Sequence, residues 1–320
     1  PLSIPARNAI QECLNVYARQ AEFATDEYFR RIDACRVQVA RFIDATPEEI
    51  VFTHSTSQGI FIALMNIPFA AGDTLIVMDE VFPAVRYLVE NHLPDVEKIF
   101  VPFRGRDPVG LLEPYLRSGA RAVILDWAQY LSGEMVDLDR LSGVLQARDI
   151  FLVVDGIQAV GAVPFFASRT NVDFLACGAA KWLFGPSGAG FLYVNKDTFN
   201  RLNRVHTGWL GARWQDFHDC EVRPALYDDA RMFEQGTRNV IGISAFAENM
   251  AMLRSFGTQP VYDHICRLKT RLREGCEDLG LEVITPAHGE QSGIITLKPR
   301  AHARVLHQRL ADNRIVTSLR

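Results

Sequence analysis

The sequence predicts an α/β protein: a large domain built on a mostly parallel sheet flanked by helices, followed by a smaller C-terminal α+β domain. Three observations carry this reading. Short apolar runs, such as TLIVM at 74–78, AVILD at 122–126 and FLVVD at 151–155, alternate with stretches of helical periodicity, the pattern of strands covered on both faces. Beyond residue 240 the alternation stops, and two long helical patterns lead into a strand–helix–strand tail. With 320 residues the chain is long enough for one large core with a smaller unit beside it. The division is expected at residue 240, giving 1–240 and 241–320.

In chain order, residues 4–19 and 25–44 repeat apolar positions every three or four residues and read as helices. A short strand follows at 51–53. Next come His54, Ser55, Thr56 and Ser57, then an apolar helix over 59–67. Strands are expected at 74–78, 98–102, 120–125, 150–155, 172–177 and 190–194. Helices are expected between the earlier ones, at 83–91, 109–117 and 138–147. Residues 195–234 are less regular. Helices at 241–255 and 261–279 open the tail; strands at 281–285 and 292–298, a helix at 303–311 and a last strand at 315–318 complete it.

Composition narrows the function classes. The formal charge is −4, so the chain has no basic footprint for nucleic acid or a membrane surface. No apolar run reaches the roughly 20 residues of a membrane span, and the start shows no signal-peptide pattern. The six cysteines, Cys13, Cys35, Cys177, Cys220, Cys266 and Cys276, have no metal-ligand spacing. They read as reduced thiols of a cytoplasmic enzyme.

Ligands of parallel sheets collect beyond the carboxyl ends of the strands. At those ends lie the hydroxyl cluster 55–57, residues 79–82, 127–133 and 155–158. The hydroxyl cluster opens a helix, so it reads either as an ordinary N-cap or as an anion site made of free N–H groups. Asp155 ends an apolar run, where a carboxylate needs a cationic partner; a cap or a structural ion pair would also account for it. Lys181 follows the slim Gly178-Ala179-Ala180. A partly desolvated lysine there can form a Schiff base, and a surface lysine capping a strand end is the plainer alternative.

VVDGIQAVG and CGAAKWLFGPSGAGFLYV place Asp155, Gln158 and Lys181 at intervals of three and twenty-three residues. FTHSTSQGI, DWAQYLSGEMVDL and FEQGT complete a set of five segments in order. In these segments the chain resembles the class V aminotransferase superfamily of pyridoxal 5'-phosphate (PLP) enzymes of fold type I. That group includes cysteine desulfurases, selenocysteine lyases, kynureninase and isopenicillin N epimerase-like proteins. The resemblance implies a PLP cofactor, a small-molecule amino acid or amine substrate and a homodimer. It also implies residue roles: Lys181 as the Schiff-base lysine and proton carrier, Asp155 against the pyridine nitrogen, and Gln158 at the ring oxygen. Thr56 and Ser57 would bind the phosphate, Phe82 would stack on the ring, Gln129 would contact ring or substrate, and Thr237 would reach the partner's cofactor.

The implied reaction is a lyase or desulfurase, epimerase or transaminase step. The chain departs from the resemblance at Gly178-Ala179-Ala180, where many relatives carry polar groups, and no cysteine matches the desulfurase nucleophile. The small domain is expected to be incomplete relative to the family. A PLP-binding protein without catalysis, with a regulatory or structural role, is the alternative reading. The departures favour it, and the intact Asp155–Gln158–Lys181 set opposes it. A dinucleotide-binding enzyme would need a Gly-rich first βα turn, and none is present.

Overall fold

A computed structural model describes residues 2–20, 25–103, 107–117, 119–214, 221, 223–289, 291–299 and 302–320. Its elements, in order, are α1 (Ile4–Gln20), α2 (Thr25–Phe42), β1 (Ile50–Thr53), α3 (Thr56–Asn66), β2 (Thr74–Met78), α4 (Pro83–His92), β3 (Glu97–Val101), α5 (Pro108–Leu112), β4 (Ala120–Asp126) and α6 (Leu138–Gln146). They continue with β5 (Phe151–Asp155), β6 (Phe174–Gly178), β7 (Gly190–Val194), α7 (Lys196–Phe199), α8 (Val240–Phe256), α9 (Thr258–Asp278), β8 (Glu282–Val283), β9 (Leu297–Lys298) and α10 (Ala303–Asp312).

Seven strands form one sheet in the order β1-β7-β6-β5-β4-β2-β3. The pairs β2–β3, β2–β4, β4–β5 and β5–β6 are parallel. Strand β7 runs against the rest, antiparallel to both β1 and β6. The expected mostly parallel sheet is therefore present. Alternate residues of the buried strands feed two cores, which explains their unbroken apolar runs. Val123, Leu125, Leu152 and Val154 join a core with Ile32 and Val39 of α2, Leu141 and Leu145 of α6, and Ile243, Phe246 and Met250 of α8. Ala122, Ile124, Phe151 and Val153 face the opposite side, with Ile60, Ala63 and Leu64 of α3 and Val85 and Val89 of α4. Thus α8, which follows the division expected at residue 240, contributes to the larger core.

The tail departs from expectation. The strands expected at 281–285 and 292–298 pair over two residues each, through Glu282↔Lys298 and Val283↔Leu297. Residues 315–318 form no strand: Val316 is 95% exposed, and no strand among the described residues offers it a ladder to join. No helix among the described residues is long and apolar enough to cross a membrane.

Candidate active site

The carboxyl ends of β1, β4, β5 and β6 converge on one rim of the sheet. The α3 N-terminus lies on the same rim. Ser55 caps this helix, its side chain accepting the Gln58 N–H, so ordinary capping accounts for that hydroxyl. The N–H groups of Thr56 and Ser57, in the first turn, have no intrahelical acceptor and carry the positive end of the helix dipole. The Thr56 hydroxyl is buried and accepts the Gly178 N–H at 2.9 Å, which ties the helix start to the end of β6. Ser57 is half-buried. Ordinary capping therefore holds for Ser55, and the anion-site reading rests on Thr56 and Ser57.

Asp155 ends β5 and is 5% exposed. Its Oδ1 accepts the Ile157 N–H at 2.9 Å. Burial pushes its carboxyl up to about 6, against the pull of that N–H and of Lys181. Burial thus outweighs the two groups that favour its ionised form. Gln158, half-buried, follows in the turn. The turn ends at Gly161, whose φ of +99° suits glycine, and a Cβ there would stand 2.6 Å from the Trp182 carbonyl oxygen. The turn carrying Gln158 is thereby pressed against the backbone just past Lys181.

Lys181 sits in the connection between β6 and β7, held by Ala179 N–H to Ala189 O and Gly185 N–H to Ala179 O. The residue as a whole is exposed, yet crowding at its ammonium makes burial the largest influence there. Burial and Arg320 lower its pKa, while Asp155, Asp126 and Cys177 oppose the shift. Its Nζ lies 5.8 Å from the centre of the Phe82 ring. Phe82, 40% exposed, precedes α4 and meets Tyr130 edge to face at 5.3 Å. The Phe82 N–H donates to Asp126 Oδ2 at 3.0 Å, so the exposed ring is held by its backbone.

The structure brings Thr56, Phe82, Asp155 and Lys181 to one rim, with Ser57 and Gln158 adjoining. Gln129 is buried. Its amide oxygen accepts the Ser132 hydroxyl at 3.2 Å, and its amide N–H donates to the Asp79 carbonyl at 3.4 Å; these bonds brace the turn after β4. Thr237 is exposed and follows Glu234, which is locked in a buried ion cluster. Arg36 binds both Glu234 oxygens at 2.7 and 3.0 Å, the Phe52 N–H donates to Oε1 at 3.0 Å, and Arg238 reaches Oε2 at 2.8 Å. Burial alone would raise the Glu234 carboxyl; the two guanidiniums outweigh it and hold it below the usual range.

Sequence reasoning missed Asp126, the carboxylate that ends β4 beside Asp155. The signal was present, because AVILD ends in Asp as FLVVD does. It also missed Arg320, whose guanidinium lies 5.4 Å from the Tyr130 ring centre.

The sequence model of the family described as Aminotransferase class-V matches residues 8–318. An uncharacterised aminotransferase, YcbU, of Bacillus subtilis (strain 168) is 24% identical over 272 residues, covering 85% of this chain and 72% of its own length. Kynureninase of Bacillus anthracis is 26% identical, covering 88% of this chain and 69% of its own. Among solved structures, a C-DES mutant with glycine covalently linked to the PLP cofactor superposes with a TM-score of 0.91 at 22% identity. That match covers 98% of this chain and 85% of the other. An apo cysteine desulfurase from Thermococcus onnurineus NA1 gives 0.84 at 21% identity, over 98% and 80%.

Proposed function

Because the chain belongs to the class-V aminotransferase family, we propose that it is a PLP-dependent enzyme acting on an amino acid or amine, with Lys181 as its Schiff-base lysine. The observation that carries this reading is the buried carboxylate of Asp155 on the rim that also holds Lys181 and the α3 N-terminus. The residues present fit the cofactor. A carboxylate pushed up by burial calls for a protonated ring nitrogen, and the first-turn N–H groups of α3 call for an anion such as phosphate. The backbone between them is kept slim: a Cβ at Gly178 would stand 3.1 Å from Thr56 Oγ1.

When bound, PLP supplies an electron sink for carbanion chemistry at the substrate's α-carbon. Thr56 and Ser57 would hold the phosphate through their N–H groups, and the Ser57 hydroxyl would add a donor. Asp155 would keep the ring nitrogen protonated, Gln158 would donate to the ring oxygen, and Phe82 would cover one ring face. Gln129 contributes through the turn it braces. Burial lowers the proton affinity of Lys181, which eases loss of its proton to give the neutral amine, the form that would attack a carbonyl or take a proton from the substrate's α-carbon. The protein works as a cytoplasmic homodimer in which Thr237, exposed in a single chain, serves the partner's cofactor. Exposed apolar residues on α1, including Ile4 at 68% and Leu14 at 45%, support an assembly that covers them.

The purified protein should bind PLP and show a visible band at roughly 410–430 nm, the general range for a protein-bound PLP Schiff base. Borohydride should abolish the band and fix the cofactor to Lys181, and Lys181→Ala should never form it. A colourless protein that takes up no PLP would overturn the assignment. Products across an amino-acid panel then separate lyase or desulfurase, epimerase and transaminase chemistry.

A further inference from the structure

The rim holds one buried carboxylate more than the site uses. Asp126 and Asp155 are direct register partners on the parallel strands β4 and β5, so their side chains leave the same face of the sheet. Each is 5% exposed. The Trp127 N–H donates to the Asp155 carbonyl at 2.9 Å and fixes the strands just beyond the pair. Asp126 Oδ2 accepts the Phe82 N–H at 3.0 Å, while Oδ1 is buried without a hydrogen-bond partner among the described residues.

The groups facing the pair are few. Lys181 acts on both carboxylates from the connection after β6. Cys177, on β6, feels Asp155, and Arg320 acts on Lys181. Asp79, beyond the end of β2 on the other flank, turns its carboxylate to the Glu80 N–H. Among the described residues one ammonium therefore serves two buried acids, and a second buried carboxylate beside the first raises the proton affinity of one of them.

We propose that Asp126 and Asp155 hold one proton between them, with Asp126 as its keeper, so that Asp126 is a positioning residue that leaves Asp155 the single anion of the rim. The orphaned Oδ1 is the natural place for that proton: protonated, it becomes a donor, and the Asp155 carboxylate is its register neighbour. Both carboxyls are pushed up chiefly by burial. Asp126 also feels the charge of Asp155, against the Phe82 N–H and Lys181. A neutral Asp126 still accepts the Phe82 N–H, so one side chain fixes the ring of Phe82 and spares the charge of Asp155.

The test is the pH dependence of unfolding for the full chain and its Asp126→Asn variant, with PLP and after its removal. The amide keeps the shape, the neutrality and the acceptor for Phe82. A group whose folded pKa lies above its unfolded value stabilises fully below the unfolded value, about 4 for Asp; that contribution is lost as pH rises toward the folded one. Asn does not titrate. The folding equilibrium of the variant should therefore gain on the parent as pH rises from about 4, by up to about tenfold per pH unit, then level off. An ordinary Asp126 anion paired with Lys181 predicts the opposite: a variant weaker at pH 7, with the gap closing in acid. That result, or parallel profiles, overturns the proposal. If the variant does not fold, carboxyl-carbon NMR of the aspartate-labelled parent decides. With the resonances assigned, Asp126 should titrate above Asp155 and every other aspartate; Asp155 titrating above Asp126, or all of them below pH 5, overturns it.

Discussion

Glu234 offers a direct test of how the loop that carries Thr237 is held. Its side chain is 2% exposed, against 4% for Arg36 and 9% for Arg238. Replacing it with Gln keeps the volume and removes the only charge among the described residues that balances two buried guanidiniums in this cluster. Stripping one partner from a buried ion pair costs about 3–5 kcal/mol, because the remaining charge stays desolvated. At an unfolding entropy of about 2.1 cal/mol/K per residue, a chain of this length loses about 1.5 °C of Tm per kcal/mol, so a fall of about 4–8 °C is expected. The effect should carry a pH signature. The Glu234 carboxyl is held below its usual range, so its stabilising contribution is complete above the unfolded pKa of about 4.3 and is lost as pH falls through the lower folded value. Thermal melts of Glu234→Gln and the parent should therefore differ most at neutral pH and converge in acid. Equal melting at pH 7, within 1 °C or so, would refute the claim that this cluster depends on the Glu234 charge. The pair Arg36→Met with Glu234→Leu should recover part of the loss.

Other consequences follow from the rim. Ser57→Ala removes a hydroxyl proposed for the phosphate and should weaken PLP binding by about 1 kcal/mol, roughly fivefold, in a spectral titration, with little change in melting. Phe82→Ala should weaken it by about 0.5–1.5 kcal/mol through the lost ring face. Gly161→Ala should destabilise by about 1–3 kcal/mol in a denaturant melt, because its positive φ and the nearby Trp182 carbonyl leave no room for a Cβ. Thiol labelling at pH 7.5 should find Cys266, half-buried, faster than the other described cysteines, all buried. Burial pushes Cys35 up to about 11 and raises Cys177 as well, so neither offers thiolate until the chain unfolds. Cys220 lies outside the described residues.

The strands buried on both faces were legible because burial forces unbroken apolar runs, and TLIVM and GFLYV fall on β2 and β7 residue for residue. The direction of β7 was harder to read. Residues 179–189 are Gly-, Pro- and Ser-rich with no helical stretch, too short a link for a parallel crossover, so the signal for an antiparallel return lay in that loop. The tail misled because apolar content at 292–298 and 315–318 suggested strands, whereas pairing needs a partner edge and only 282–283 with 297–298 provide one among the described residues. Within the site, Asp155, Lys181 and the α3 start were visible as chemistry at strand ends. Asp126 carried the same signature, but its meaning depends on strand register, which local sequence does not state. Likewise Glu234 could be seen as part of FEQGT, while its partners Arg36 and Arg238 come together only through the fold.

The antiparallel strand also bears on the order in which this rim is built. Among the described residues, Ile50–Thr53 joins the sheet through its pairing with residues 190–193, so one sheet edge closes a loop of well over a hundred residues. Such distant pairings bear a large closure entropy and form late. The α3 start follows β1 directly, and the Lys181 connection precedes β7 directly. The α3 start and the Lys181 connection are therefore brought together as that edge seals, with the Gly178 N–H to Thr56 hydroxyl bond as a second tie. A partly folded chain has no assembled cup to offer, and uptake of the cofactor during refolding becomes a clock for completion of the sheet.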